Sequence, residues 1–131
     1  MIVVETSALV SLFQAEPSAP RLMDAISRDK DRFVPASTVV EFALLRRLGP
    51  SRREWLAYLL ETLGFEVAGI DRPAASIAAD AAERYGRGSG HPARLNFGDC
   101  LSYAVAKQLE APLLYTGADF SHTDIESALS A

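Results

Sequence analysis

Four acidic residues stand in surroundings that disfavour a charge. Glu41 interrupts the apolar run Thr38-Val39-Val40-Glu41-Phe42-Ala43-Leu44-Leu45, and Asp99 opens the similar run Gly98-Asp99-Cys100-Leu101-Ser102-Tyr103-Ala104-Val105. Glu5 follows the β-branched segment Ile2-Val3-Val4 directly, and Asp119 comes shortly after Leu113-Leu114-Tyr115-Thr116. An ionised carboxylate in low-dielectric surroundings is destabilising unless it is paired or binds a cation. One shared cation would account for all four acids at once. Each also has a separate structural explanation. Thr38 and Glu41 have capping-box spacing, and Asp99 falls in a first helical turn, where the helix dipole favours negative charge. Glu5 could be an exposed acid at a strand end, and Asp119 a turn-former. These explanations treat the acids singly and predict no common location for them.

The elements around them alternate. Met1–Val4 reads as a buried strand, and Thr6 or Ser7 caps a first helix carrying Leu9, Val10, Leu12 and Phe13. Ala19–Ser27 reads as a second helix and Arg32–Ala36 as a second strand. Ser37 and Thr38 open a helix predicted to run to Leu48, where Gly49-Pro50 stops it. Further helices are expected over Arg52–Leu63, Ala74–Tyr85 and Phe97–Glu110, with strands over Phe65–Ile70 and Pro112–Thr116. Gly86, Gly88, Gly90 and Pro92 mark a loop, Gly117–Thr123 is a turn region, and the tail has room for one helical turn or a small strand. Strands separated by helices indicate α/β architecture with a mainly parallel sheet. In such sheets ligands bind beyond the carboxyl ends of the strands, where strand order reverses. Glu5 and Asp119 are the acids at such ends.

The 131 residues suit one domain. Hydrophobic residues make up 49% and charged residues 23%, which excludes a disordered chain. One cysteine, Cys100, cannot form an internal disulfide. The longest apolar runs, Ser7–Phe13 and Val39–Leu45, are too short to span a bilayer, and the first residues lack the pattern of a secretory signal. A cytoplasmic protein is expected. The net charge of −4 argues against a general nucleic-acid binder. It leaves room for an enzyme that meets phosphate through bound cations. The basic residues are unevenly placed: Arg84–Gly98 holds Arg84, Arg87, His91 and Arg94 and no acid.

Taken in order, the four acidic segments carry a resemblance. Ile2-Val3-Val4-Glu5-Thr6-Ser7-Ala8-Leu9 resembles the opening of PIN domains, and Ser37-Thr38-Val39-Val40-Glu41 matches that family's second acid, early in the third helix. Asn96-Phe97-Gly98-Asp99-Cys100-Leu101-Ser102-Tyr103-Ala104 is similar to the third-acid segment of VapC-type toxins. Leu113-Leu114-Tyr115-Thr116-Gly117-Ala118-Asp119-Phe120 resembles the last. The match covers essentially the whole chain, in order and with the right separations.

The resemblance implies a three-layer α/β/α PIN-like domain over residues 1–131, with a mainly parallel sheet of four or five strands. It implies a metal-dependent endoribonuclease toxin of a type II toxin–antitoxin system. Its catalytic and metal-binding residues would be Glu5, Glu41, Asp99 and Asp119. Hard oxygen ligands, with no thiolate and two distant histidines, suit Mg²⁺ or Mn²⁺. The implied partners are an RNA substrate, a second copy of the chain and a cognate VapB-type antitoxin. DNA would be reached only through that antitoxin. Arg84, Arg87 and Arg94, with His91, could line the RNA path by pairing with phosphates, or form a solvated loop face. Thr6, Ser7, Asn96 and Thr116 could orient the acids by hydrogen bonds, although capping is at least an equal reading for Thr6 and Ser7, and a structural role is the favoured reading for Asn96 and Thr116. One position departs from the family pattern, which has Asp where this chain has Glu5. The added methylene moves the carboxylate outward, and Mg²⁺ tolerates imperfect octahedral geometry badly. A catalytically weakened scaffold that only binds antitoxin or RNA is the alternative.

Other residues read as structural. Cys100, beside an acid on an apolar helix, is expected to be a buried thiol with a raised pKa. Trp55, Tyr58, Leu59 and Leu60 have the spacing of a core or subunit-interface face. A receiver-like signalling domain would need paired acids after the first strand and a lysine after the last. The chain has Glu5 alone there, and no lysine after Lys107.

Overall fold

The short strand β1 (Ile2–Val4) is buried on both faces, as a central strand of a parallel sheet must be. The computed structural model describes residues 1–129, and β1 lies inside its four-stranded sheet, ordered β3-β2-β1-β4. The other strands are β2 (Arg32–Pro35), β3 (Glu66–Ala68) and β4 (Leu113–Leu114). All pairings are parallel, with Val3 opposite Phe33 and Leu113, and Phe33 opposite Glu66. The chain steps outward from β1 to β3 and then returns to the far side of β1. The carboxyl end of β1 is therefore the point where strand order reverses, and Glu5 sits on it.

Alternation along each strand divides the core. Ile2, Val4, Val34 and Leu114 pack with Leu9, Leu22, Ile26, Phe42 and Leu56 on one face. That layer is built from α1 (Thr6–Phe13), α2 (Ala19–Ser27), α3 (Ala36–Leu44) and α4 (Arg52–Thr62). Val3 and Leu113 pack with Ala74, Ala78, Tyr85, Tyr103 and Ala104 on the other. There α5 (Arg72–Tyr85) lies against α6 (Phe97–Leu109). The α/β/α layering is as expected, with four strands.

Several boundaries differ from the sequence reading. The third helix starts one residue early, at Ala36, and stops at Leu44 instead of Leu48. Leu45 leaves helical geometry at ψ 69°, and Arg46–Leu48 form a separate 3₁₀ turn. The Arg52 guanidinium explains the early stop. It donates to the carbonyls of Ala43 (2.8 Å) and Gly49 (2.9 Å), supplying a partner at the helix end and at the turn that follows. α5 starts two residues early because Asp71 caps it, accepting from the Ala74 amide at 3.0 Å, with Pro73 in the first turn. The strands at Glu66–Ala68 and Leu113–Leu114 are shorter than expected. The tail supplies a parallel bridge, Leu113 to Ser127. Trp55 stacks on Phe42 and meets Phe13 edge-on in the core, whereas Tyr58 of the same helix is exposed.

Candidate active site

Glu5 ends β1 and caps α1 with its own side chain. Its Oε2 accepts from the Ser7 amide at 2.6 Å and from the Ser7 hydroxyl. The Ser7 hydroxyl in turn accepts from the Thr116 amide at 2.9 Å, tying the end of β1 to the segment after β4. Glu5 is 5% exposed. Burial pushes its pKa from 4.5 up to about 7; the Ser7 hydrogen bonds oppose that, and the charges of Asp99 and Glu41 add to it.

Glu41 comes from α3. Its Oε1 accepts from the Thr6 hydroxyl at 2.8 Å. The capping-box reading for Glu41 does not hold, because Pro35 occupies the N-cap and the buried Thr38 hydroxyl faces Ser102 at 3.5 Å. Asp99 lies in the first turn of α6. There the capping reading does hold: the Asn96 side chain accepts from the Asp99 amide at 2.8 Å, and Asp99 Oδ2 accepts from the Asn96 amide at 3.1 Å. One Asp99 oxygen is left over. Burial raises the pKa of both acids. For Glu41 the Thr6 bond opposes it and the Asp99 charge adds to it. For Asp99 the Asn96 amide and Arg87 oppose it, and Asp119 adds to it.

Glu5, Glu41 and Asp99 line one cavity of about 330 Å³, together with Thr6, Ser7, Asn96 and Thr116. The structure thus brings together three of the four acids and all four residues expected to orient them. Asp119 does not line the cavity. It sits in an exposed turn after β4, within electrostatic reach of Asp99. Arg87 also acts on Asp99 electrostatically. Arg84 lies elsewhere, over the Tyr85 ring and lining a separate cavity with Tyr103, Lys107 and Asp124. Arg94 is exposed, and its carbonyl accepts from Arg87. Cys100 is buried, and burial with the Asp99 charge raises its pKa, as expected.

Sequence reasoning missed four residues here. Gly98 lets two helices meet: a Cβ on it would lie 1.8 Å from Glu41 Oε2. Arg47, Ser11 and Glu16 line the acid cavity, with Ser11 donating to Glu16 at 3.1 Å. Ser7 and Ser11, four apart on an apolar helix, were a legible polar stripe. Arg47 gave no periodic signal, because the 3₁₀ turn after α3 reorients it.

As they stand, and among the described residues, no three acid, histidine or cysteine side chains are gathered closely enough to hold an ion. Glu5 is turned back on Ser7, and Asp99 is partly engaged in its capping box. The donor set still fits a hard dication. It offers carboxylate oxygens with no thiolate or imidazole in the cavity, and their charges repel one another.

The PIN domain family model matches residues 2–126. Ribonuclease VapC42 of Mycobacterium tuberculosis is 42% identical over 129 residues, covering 97% of this chain and 98% of its own. The chain belongs to the PIN domain family, VapC branch. Solved structures share the fold of this VapC-branch domain. The Mycobacterium tuberculosis VapC20 crystal structure, described as a Sarcin-Ricin loop cleaving toxin, superposes with TM-score 0.75 at 22% identity over 95% of this chain and 96% of that one. A toxin–antitoxin complex from Klebsiella pneumoniae gives 0.70 at 16% identity over 92% and 91%.

Proposed function

We propose that this PIN domain is the endoribonuclease toxin of a type II toxin–antitoxin system, cleaving RNA phosphodiester bonds with Mg²⁺ or Mn²⁺ at its acid cavity. The observation that carries the reading is the convergence of Glu5, Glu41 and Asp99 at the switch point of the sheet, in a chain whose relatives are named ribonucleases. Glu5, Glu41 and Asp99 would hold the cation, with Asp119 as an outer fourth acid. A bound dication would neutralise phosphate charge and lower the pKa of the attacking water.

This chain's own residues prepare that site. Thr6 fixes the Glu41 carboxylate and Asn96 fixes Asp99 at a helix start, whereas Ser7 holds Glu5 turned back towards α1. Arg87 acts electrostatically on Asp99 and could meet a phosphate there, while Arg84 and Arg94 would touch RNA only farther along its path. The partners we assign are RNA, a second copy of the chain and a VapB-type antitoxin that would carry any contact with DNA. A cytoplasmic location fits these partners. No helix among the described residues is long and apolar enough to cross a membrane.

RNA cleavage assayed with Mg²⁺, with Mn²⁺ and with chelator tests the proposal. We expect metal-dependent cleavage that Asp99→Asn abolishes. Cleavage unaffected by chelator would refute the metal-dependent reading. The turn of Glu5 onto Ser7 favours a second reading, a weakened scaffold that binds without cutting. Inactivity with both metals, alongside retained RNA binding, would establish it.

A further inference from the structure

A second cavity, larger than the acid site, lies beside it. It is an open apolar groove of about 680 Å³ between α5 and the start of α6. Ala78, Ala79 and Ala82 form its floor on one side, with Cys100 and Leu101 on the other. At its edge Phe97 is 82% exposed, the most exposed of the large hydrophobic residues among those described. An aromatic ring held in water beside an apolar groove needs a reason. Phe97 opens α6 between Asn96, which caps the helix, and Gly98, which touches Glu41, so its backbone is held on both sides.

Two observations connect the groove to the acid cavity. Asn96 lines both. Arg87 lines the groove and acts electrostatically on Asp99. The groove also lies along Arg84–Gly98, the stretch with three arginines and no acid. A ligand occupying both spaces would place an anionic group near the acids and their cation, and a flat apolar group against Phe97. A nucleotide has that division of character. Stacking on an exposed aromatic ring next to a basic side chain is how proteins hold unpaired bases.

We propose that this groove is a nucleobase subsite for the RNA residue adjoining the scissile phosphate, with Phe97 as its stacking platform. The subsite rests on the ribonuclease reading and adds to it a choice of base. The polar groups facing the groove are donors. The Asn96 oxygen is occupied by the Asp99 amide, which leaves its amide nitrogen as the outward group. Arg87 donates through Nε to the Arg94 carbonyl at 3.4 Å, which leaves its two terminal amines side by side. That fork matches the adjacent O6 and N7 acceptors of guanine, whereas adenine presents an amine beside N7. The subsite selects guanine over adenine.

Binding of short fluorescein-labelled oligouridylates carrying one central guanine or one central adenine, followed by anisotropy in chelator at low salt, tests this without cleavage. Phe97→Ala should weaken binding of the guanine oligomer about 5- to 150-fold, with melting temperature little changed because the ring is exposed. Phe97→Trp should keep the affinity and show indole fluorescence quenched by the oligomer. Arg87→Ala should remove the preference for guanine. Equal binding by wild type and Phe97→Ala overturns the subsite, as does unquenched Phe97→Trp fluorescence in the complex. Conversion of a dimer to a monomer by Phe97→Ala also overturns it, since a second copy would then cover the groove. If wild type cleaves RNA while Phe97→Ala binds and cleaves equally well, only the subsite fails. If wild type neither binds nor cleaves RNA, the ribonuclease reading fails with it.

Discussion

Glu5 sits buried beside two other acids, and its protonation is therefore linked to folding. Its pKa rises from 4.5 to about 7 on folding, so between those values the native state holds a proton that the unfolded chain has released. The stabilisation is fully present below about 4.5 and is lost as pH rises through 7. The shift corresponds to roughly 3 kcal/mol for this buried group. Glu41 and Asp99 shift the same way. In chelator, the melting temperature should therefore fall between pH 5 and 8, and Glu5→Gln should flatten most of that slope. A flat profile in the parent protein would remove the linkage. Glu5 also bears on catalysis. The Asp that the resemblance to PIN domains implies at this position is one methylene shorter. Glu5→Asp should release the turn onto Ser7, tighten Mg²⁺ binding and raise RNA cleavage, with a smaller gain in Mn²⁺. No gain in either would mean that Glu5 is already competent or is not a ligand. Glu5→Gln decides between those two: lost cleavage identifies a competent glutamate.

Between elements, the contact of α3 with α6 depends on an absent side chain. Gly98→Ala would put a methyl group into the Glu41 carboxylate, which is the far end of a flexible side chain and can swing away. The helix gains a better former by about 0.5–1 kcal/mol. Stability should hold or rise slightly, while metal-dependent cleavage drops about tenfold or more. Equal losses in both would point to a packing role alone. Gly86→Ala is the opposite case. Its Cβ would lie 2.4 Å from the Ala82 carbonyl, a backbone atom that cannot yield, so melting should drop by an amount equivalent to about 1–3 kcal/mol. Much of this scale was legible in the sequence. The order of strands and helices followed from apolar periodicity and glycine punctuation, and three acids could be placed by their position after strands or within apolar runs. What was not legible depended on tertiary partners. The end of α3 is set by Arg52 reaching back, and Arg47 enters the site through a turn that has no period. Asp119 carried the same strand-end signal as Glu5 yet stands outside the cavity.

For the molecule as a whole, a net charge of −4 and a cavity of mutually repelling carboxylates mean that a dication bound at the proposed site would act as a folding ligand. A cation that binds only the native state at a hundred times its Kd stabilises by about 2.7 kcal/mol, or about 10 °C in a chain of this size. We expect Mg²⁺ or Mn²⁺ to raise the melting temperature on that scale, and Asp99→Asn to lose most of the rise. An equal rise in both proteins would exclude Asp99 as a ligand.

The two margins of the sheet are unlike. β3 leaves its outer side open, with Val67 exposed, whereas β4 is sheathed by the chain that follows it. Leu113 donates to the Glu126 carbonyl at 2.9 Å and accepts from the Ala128 amide at 2.9 Å. Two hydrogen bonds thus block a strand only two residues long from recruiting a foreign one. The tail covers the β4 edge against pairing with a foreign strand. A chain shortened before Ile125 should still carry every acid of the site, yet it should precipitate or form higher assemblies as its concentration rises, and light scattering would register that before any assay of cleavage did.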